Sequence, residues 1–390
     1  MKNVIAILIL AVFVSCQKGK QNHLQNQNGT NTENPCIGNW YFDKIVNYDT
    51  SKTKFSKGYL ERFHGNYYSF AILNDSILDY KNGFYCRILN RTSYYLGTKT
   101  HYRIKDSLLA YFDLSDNEWK NITIKKINGD TMTVVGDENV EYQLVKKNKT
   151  YFNNKNYDAI IVDRSPCYGT CPFNSTYIDR KGNFFFKAYD YNTQKGNFMA
   201  KLDKETTVAF FNDFDKIDIF NLKDNYSIMA TDSQTNIISF VKNGKIVKTI
   251  RSYIECPIDL NKAMTKLSYA YQKVKLNHDY ESMYVFNSKV EFYRYEAKGI
   301  GYNLLESESF FLENEIRKGT KVELKFPEKY ELDFNTYNFS DEKGKESNVK
   351  KIMTDGRYYK FINKDNTSFI IDIGYDFIDR NPIIKKKRIF

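Results

Sequence analysis

The residues with the widest chemical scope are six cysteines: Cys16, Cys36, Cys86, Cys167, Cys171 and Cys256. Cys167 and Cys171 stand four positions apart in the run Cys-Tyr-Gly-Thr-Cys-Pro. Three chemistries fit such a pair. A structural disulfide would close a tight loop, either as Cys167–Cys171 or by joining one of them to Cys256. Spacing alone does not choose, because the requirement is a short Cα separation and converging Cβ vectors. Reduced, the two thiols could exchange electrons or hold copper, provided that their surroundings favour the thiolate. Zinc is disfavoured, since a structural site wants four Cys or His ligands at close spacing, whereas His23, His64, His101 and His278 are scattered. Cys36 and Cys86 are a further candidate disulfide pair. Asp232, in Thr231-Asp232, is the candidate functional carboxylate near the cysteine loop; its competing role is that of a turn or capping residue. The chain has no Gly-rich phosphate loop, no Gly-x-Ser-x-Gly elbow and no clear pair of carboxylates. No catalytic residue, metal site or cofactor is therefore assigned, although a triad is set by geometry and need not show in residue order.

The spacing Cys-x-x-x-Cys-Pro resembles the metal loop of thioredoxin-fold copper-delivery proteins. That family opens a helix at the loop and supplies a downstream His. Here Phe173–Ile178 reads as a strand, and the sole downstream candidate is His278, at the end of a predicted helix.

The elements that must position these residues begin with a leader. Met1-Lys2-Asn3 carries one positive charge, Val4–Val14 is almost unbroken apolar, and Ser15-Cys16 closes the run. A basic start, a short apolar stretch and a small residue at the cut form a secretory signal. The run falls far short of the ~20 residues that span a bilayer. Phe13-Val14-Ser15-Cys16 resembles a bacterial lipobox, which implies lipidation of Cys16 and anchoring to the bilayer. Residues 1–15 are read as signal peptide and 16–35 as a polar tether, able to reach on the order of 60 Å when extended. No acidic residue follows in Gln17-Lys18-Gly19-Lys20, which favours an outer membrane location facing the periplasm. With Cys16 lipidated, five cysteines remain, so at least one thiol stays free or pairs with another molecule. An exported chain meets an oxidising compartment, where disulfides are allowed.

The formal charge of +11 is spread along the chain, with one compact basic cluster at Lys385–Arg388. A nucleic-acid binder gathers its charge on one face or stripe, so no nucleic-acid partner is expected. Tyr and Phe number 32 and 29, a bias toward strands. The expected fold is mainly β with α+β content.

Residues 36–148 form the first predicted domain, with strands at Asn39–Val46, Gly58–His64, Tyr67–Leu73, Phe84–Leu89, Thr100–Ile104, Leu108–Leu114, Asn121–Ile127, Thr131–Val135 and Glu141–Val145. Turn signals at Lys81-Asn82-Gly83 and Asn128-Gly129-Asp130 separate them, a pattern of an antiparallel barrel or sandwich. Gly38-Asn39-Trp40 resembles the Gly-x-Trp start of lipocalin-like domains, and Ile124–Val134 resembles a late hairpin of bacterial lipocalin-like lipoproteins. The resemblance implies a barrel plugged by Trp40, with a small apolar ligand or packed side chains inside.

The second predicted domain, 155–277, has a buried strand at Tyr157–Asp163, a hairpin about Arg180-Lys181-Gly182, a helix at Lys204–Ile217, a hairpin about Asn243-Gly244 and a helix opened by Pro257. That order predicts an antiparallel α+β domain. Cys167–Pro172, Tyr177, Gly182, Tyr226 and Thr231-Asp232 resemble a bacterial family of domains of unknown function, which implies a fold but no activity. Residues 280–390 are a β-rich C-terminal region with strands at Tyr284–Tyr295, Lys321–Phe326, Tyr330–Asn335, Tyr358–Ile362 and Ser368–Tyr375, and a short helix at Ser307–Arg317. The functional expectation is a non-enzymatic binding or scaffold lipoprotein of the bacterial envelope, with a small apolar ligand or an envelope protein as partner. The alternative is a thiol-dependent redox or copper-handling envelope protein using Cys167 and Cys171.

Overall fold

Strands dominate, and each of the three sheets takes a different way of hiding its apolar face. The computed structural model describes residues 34–87, 92–148, 152, 156–279, 290–297, 300–336, 348–382 and 388–389. The expected leader 1–15, Cys16, nearly all of the tether and the lysines at 385–387 lie outside the described residues.

The first sheet closes on itself as an antiparallel barrel. In chain order its strands are β1 (Gly38–Asn47), β2 (Phe70–Ile72), β3 (Ile77–Arg87), β4 (Ser93–Lys105), β5 (Leu108–Asp113), β6 (Glu118–Asn128), β7 (Thr131–Val135) and β8 (Glu141–Lys146), and β8 returns to pair with β1. Alternation sends Met132 and Val134 of β7 and Tyr142 and Leu144 of β8 inward. With Trp40, Phe70, Leu78 and Leu109 they pack the interior. The indole N–H of the fully buried Trp40 donates to the Cys36 carbonyl at 2.7 Å. Two expectations are corrected. Gly58–His64 is not a strand: Ser56 caps α1 (Lys57–Phe63) by accepting from the Tyr59 N–H, and Leu60 enters the barrel core. Nor is Lys81-Asn82-Gly83 a turn. It is a bulge within β3, where the register shifts between Asp79 and Phe84 and Gly83 takes φ +77°. Four residues of β3 face one of β4 there, and the chain is fitted in with the left-handed conformation that glycine tolerates.

The second sheet has eight described strands in the order β13-β15-β14-β9-β10-β11-β12-β16. They are β9 (Ala159–Arg164), β10 (Phe173–Asp179), β11 (Asn183–Asp190), β12 (Gly196–Lys201), β13 (Asn225–Ser227), β14 (Thr235–Lys242), β15 (Lys245–Tyr253) and β16 (Asn277–His278). β13 runs parallel to β15; the other pairs are antiparallel. One face buries Ile160, Val162, Phe184, Phe186 and Phe240 against α2 (Lys204–Asp215) and α3 (Ile258–Ser268). The other buries Ile161, Tyr177 and Val241 against α4 (Glu306–Lys318). Cover on both faces explains why β9 is a continuous apolar run rather than an alternating one.

The third sheet follows the order β19-β23-β22-β21-β20-β17-β18-β24. Its strands are β17 (Val290–Ala297), β18 (Ile300–Asn303), β19 (Thr320–Val322), β20 (Tyr330–Thr336), β21 (Val349–Thr354), β22 (Tyr358–Asn363), β23 (Ser368–Asp372) and β24 (Arg388–Ile389). Tyr293, Leu332, Ile352 and Phe361 share one core with Phe310, Phe311 and Ile316 of α4, so this helix lies between two sheets. Among the described residues no helix is long and apolar enough to cross a membrane.

Candidate functional site

The cysteine element is the loop from β9 to β10. Cys167 and Cys171 are joined by a disulfide, with Cα atoms 5.8 Å apart. Backbone and side-chain bonds fix this loop to the segment before β14. Gln234 Nε2 donates to the carbonyls of Ser165 (2.7 Å) and Pro172 (2.9 Å), while its own Oε1 accepts from Arg164 Nε at 2.8 Å. The Tyr168 N–H donates to the Asp232 carbonyl at 3.2 Å. Asp232 thus meets the cysteine loop, but through its backbone. It takes φ +70°, and its carboxylate accepts from the neighbouring Thr231 hydroxyl at 3.0 Å on the exposed surface. That is the geometry of a turn residue.

The other cysteines are elsewhere. Cys256 is a free thiol packed against the core beneath α2 and α3, and burial pushes its pKa up to about 12, which suits an inert side chain. Its candidate bridge to the Cys167/Cys171 element does not form, because those two are already joined. Cys86 is also a free thiol, so the candidate Cys36–Cys86 bridge is absent. Cys36 is in the barrel core, and burial raises its pKa. His278 lies on the edge strand β16, packed on Phe198. Among the described residues no group of three His, Cys, Asp or Glu side chains is placed to hold a metal ion.

A second site arises where the barrel wall meets α3. On β3, Leu78 and Tyr80 belong to the barrel core, so Asp79 and Lys81 point outward on the opposite face. On α3, Asp259 and Lys262 are three apart and share a face. The two pairs cross: Lys81 Nζ lies 2.7 Å from Asp259 Oδ1, and Lys262 Nζ lies 2.5 Å from Asp79 Oδ2. Tyr41 of β1 donates its hydroxyl to Asp259 Oδ2 at 2.7 Å, and Lys81 Nζ sits 3.9 Å above the Tyr41 ring. These groups floor a cleft of about 490 Å³ whose walls include Phe42, Pro257, Ile258 and Leu222.

The electrostatics follow from the burial. Lys81, almost wholly enclosed, has its pKa lowered by desolvation against the pull of Asp259. Burial would raise the Asp79 carboxyl, but the attraction of Lys262, with Thr98 and Lys81, holds it below the usual range. The Tyr41 phenol is raised by burial and then by Asp259, so it stays a donor. The floor is a set of mutually neutralised charges, built to receive hydrogen bonds rather than to present a free base. Sequence reading missed this site. Its local traces are the spacings Asp79-x-Lys81 and Asp259-x-x-Lys262, but nothing local shows that they meet.

Residues 158–271 match the family described as a domain of unknown function (DUF6438), a stretch that holds the cysteine loop, Asp232, α2 and α3. No curated protein and no solved structure matches the chain.

Proposed function

We propose that this chain is a membrane-anchored lipoprotein of the bacterial envelope that binds a ligand without transforming it, and that the cleft between the barrel wall and α3 is where it binds. The reading joins a Cys16 lipid anchor, a flexible tether, a lipocalin-like barrel, a central α+β domain and a C-terminal β-rich domain, facing the periplasm from the outer membrane. One observation carries the binding role: a cleft of ligand size whose floor is preorganised by ion pairs between two modules. Packing of the barrel interior by Trp40, Leu109, Met132 and Leu144 favours the cleft over the lumen. The disulfide supports a structural role for the cysteine element over copper or redox work.

The test has two readouts on cells making the full chain. Labelling with an alkyne palmitate analogue should mark the wild type and fail in Cys16→Ala. Native mass spectrometry of the chain extracted from envelopes should show a retained small molecule or a specific envelope protein, lost when Asp259→Asn uncouples the floor. Equal labelling of the Cys16→Ala chain would remove the anchor. A chain extracted bare and without partners would remove the binding role.

A further inference from the structure

Four aromatic rings gather on the outer side of the barrel's lid. Residues 48–69, between β1 and β2, cover the end of the barrel where β1 finishes. The loop from β7 to β8 is at the same end, and its Glu138 accepts the Lys54 N–H at 2.9 Å. From beneath, Leu60 belongs to the barrel core and the Tyr68 ring stacks on Tyr142 at 4.3 Å. On top, Phe55 and Tyr59 stack at 4.7 Å, His64 lies 5.9 Å from both, and Tyr67 meets His64 edge-on at 6.0 Å. Phe55, Tyr59 and Tyr67 are still 41, 38 and 56 % exposed. Tyr48 holds the patch in shape by donating its hydroxyl to the Phe55 carbonyl at 2.6 Å. Rings fixed against one another and from below lose little freedom on docking.

The kind of surface they meet follows from charge and from the chain's entry. The rim is matched in charge: Lys52 pairs with Asp49 at 3.1 Å and Lys57 with Glu61 at 3.9 Å. It has little field with which to steer a charged partner. Tyr and His rings, apolar in body and polar at the tip, suit the headgroup layer of a bilayer. Residues 16–35 number 20 and reach on the order of 60 Å. That is about twice the length of the ten-residue β1, at about 3.3 Å per residue. An anchor at Cys16 is therefore long enough for the lid to meet the same bilayer, although lid and Cys36 are at opposite ends of β1.

The geometry points to a phospholipid surface as the partner of the lid, a conclusion that rests on the Cys16 anchor proposed above. Phe55, Tyr59, His64 and Tyr67 enter the headgroup layer, a second contact that fixes which end of the barrel the anchored chain turns to the bilayer.

The experiment places the lipidated full chain on phosphatidylcholine vesicles, with and without lipids brominated near the headgroup end of the acyl chain, and reads tryptophan fluorescence. Tyr67→Trp adds a reporter to the lid, and Val208→Trp adds one to an exposed site on α2. After subtraction of the wild-type signal, brominated lipid should quench Tyr67→Trp at least about twofold more than Val208→Trp, as for a ring about 5–10 Å deep. Adding Phe55→Ser and Tyr59→Ser to Tyr67→Trp should abolish that difference with an unchanged circular dichroism spectrum. The quenching should be the same in about 1 M salt, where charges act over only about 3 Å. Equal quenching at the two sites, or none at Tyr67→Trp in a chain that floats with the vesicles, overturns the docking and leaves the anchor standing. Quenching that vanishes in high salt overturns it too, in favour of charge attraction. A dimer in native mass spectrometry that Tyr59→Ser breaks, with no quenching, gives the patch to a second copy instead. A chain that does not float with the vesicles removes the anchor and the docking together.

Discussion

Removing one partner of the Lys187–Glu313 pair should destabilise the protein far more than removing both. Lys187 is on β11 and Glu313 on α4; their side chains are 0 % and 2 % exposed, and Lys187 Nζ lies 2.7 and 3.0 Å from the two carboxylate oxygens. At an effective dielectric of about 20, the 2.7 Å contact corresponds to about 6 kcal/mol of attraction. Desolvation costs several kcal/mol for each ion, so the pair sums to little net stability. A stranded partner keeps its cost and loses the attraction, and Lys187→Met or Glu313→Leu should each cost about 3–5 kcal/mol. Loss of Lys187 should fall at the low end, since Arg317 lies 3.7 Å from Glu313. The double variant removes both charges but leaves the Tyr293 hydroxyl, now 3.1 Å from Glu313 Oε1, without that acceptor, for about 1–3 kcal/mol. The coupling energy from the four-member cycle should therefore be at least about 3 kcal/mol. Equilibrium urea unfolding followed by far-UV circular dichroism gives the four values. Tryptophan fluorescence would not serve, because Trp40 and Trp119 are both in the barrel. A double variant that costs the sum of the singles, or a Lys187→Met variant within about 1 kcal/mol of wild type, would refute the reasoning.

The disulfide closes a loop only four positions long, so chain entropy assigns it about 2 kcal/mol. The Cys167→Ser/Cys171→Ser variant should lose about that much in urea unfolding, and a non-reducing peptide map should show the two peptides linked while Cys86 alkylates; free, fast-alkylating thiols at 167 and 171 would instead revive copper and redox chemistry. The folded pKa of Asp79 lies below its unfolded value of about 3.9, so its ion pair contributes fully above about pH 5 and is lost as pH falls through the folded pKa. Unfolding free energies should drop between about pH 4 and pH 2, and Asp79→Asn should be less stable at neutral pH with a flatter slope in that window. A slope unchanged by the substitution would show that other carboxylates carry the acid sensitivity.

Much of the strand pattern was legible because β alternation survives wherever one face is wet. Thr131–Val135 is the same in expectation and structure, and Glu141–Val145 differs by one residue. The failures have local causes. In 57–63, Tyr59 and Phe63 carry strand-favouring aromatic bulk, but the Ser56 cap starts a helix instead. Lys81-Asn82-Gly83 has turn residues, yet the strand passes through them as a bulge, because Gly83 absorbs the positive φ. Gly196–Lys201 and Val349–Thr354 were missed as strands. Phe198 of the first is buried while Met199 is exposed, a two-residue signal diluted by Gly196 and Asn197. The cysteine loop meets Asp232 through the Tyr168 N–H and a backbone carbonyl, a contact that leaves no trace in side-chain identity.

The two polar constellations that matter most were illegible for a different reason: their members are remote in sequence and look ordinary where they stand. Asp79 and Lys262 are 183 positions apart. Lys187 and Glu313 are 126 apart, and nothing beside either in the sequence names the other as its partner. In the second sheet, cross-strand pairing lines up Asp163, Ser175, Lys187 and Asn197 in one row. α4 lies over that face, with Glu313 on Lys187, Ser307 on Ser239 at 2.8 Å, and Glu308 accepting from Thr249 at 3.0 Å. Apolar packing alone would tolerate a slide of α4 along the sheet, because Phe310, Phe311 and Ile316 could find other hydrophobic neighbours. The polar row does not: a shift of one turn, about 5.4 Å, would strand Lys187 and Glu308 in a dry interior at several kcal/mol each. The buried charges therefore add little to stability and much to register, holding the C-terminal sheet to the central one in a single alignment. Seryl and glutamyl residues on a helix that reads as half-exposed become the specificity of a domain interface only once the second sheet covers them.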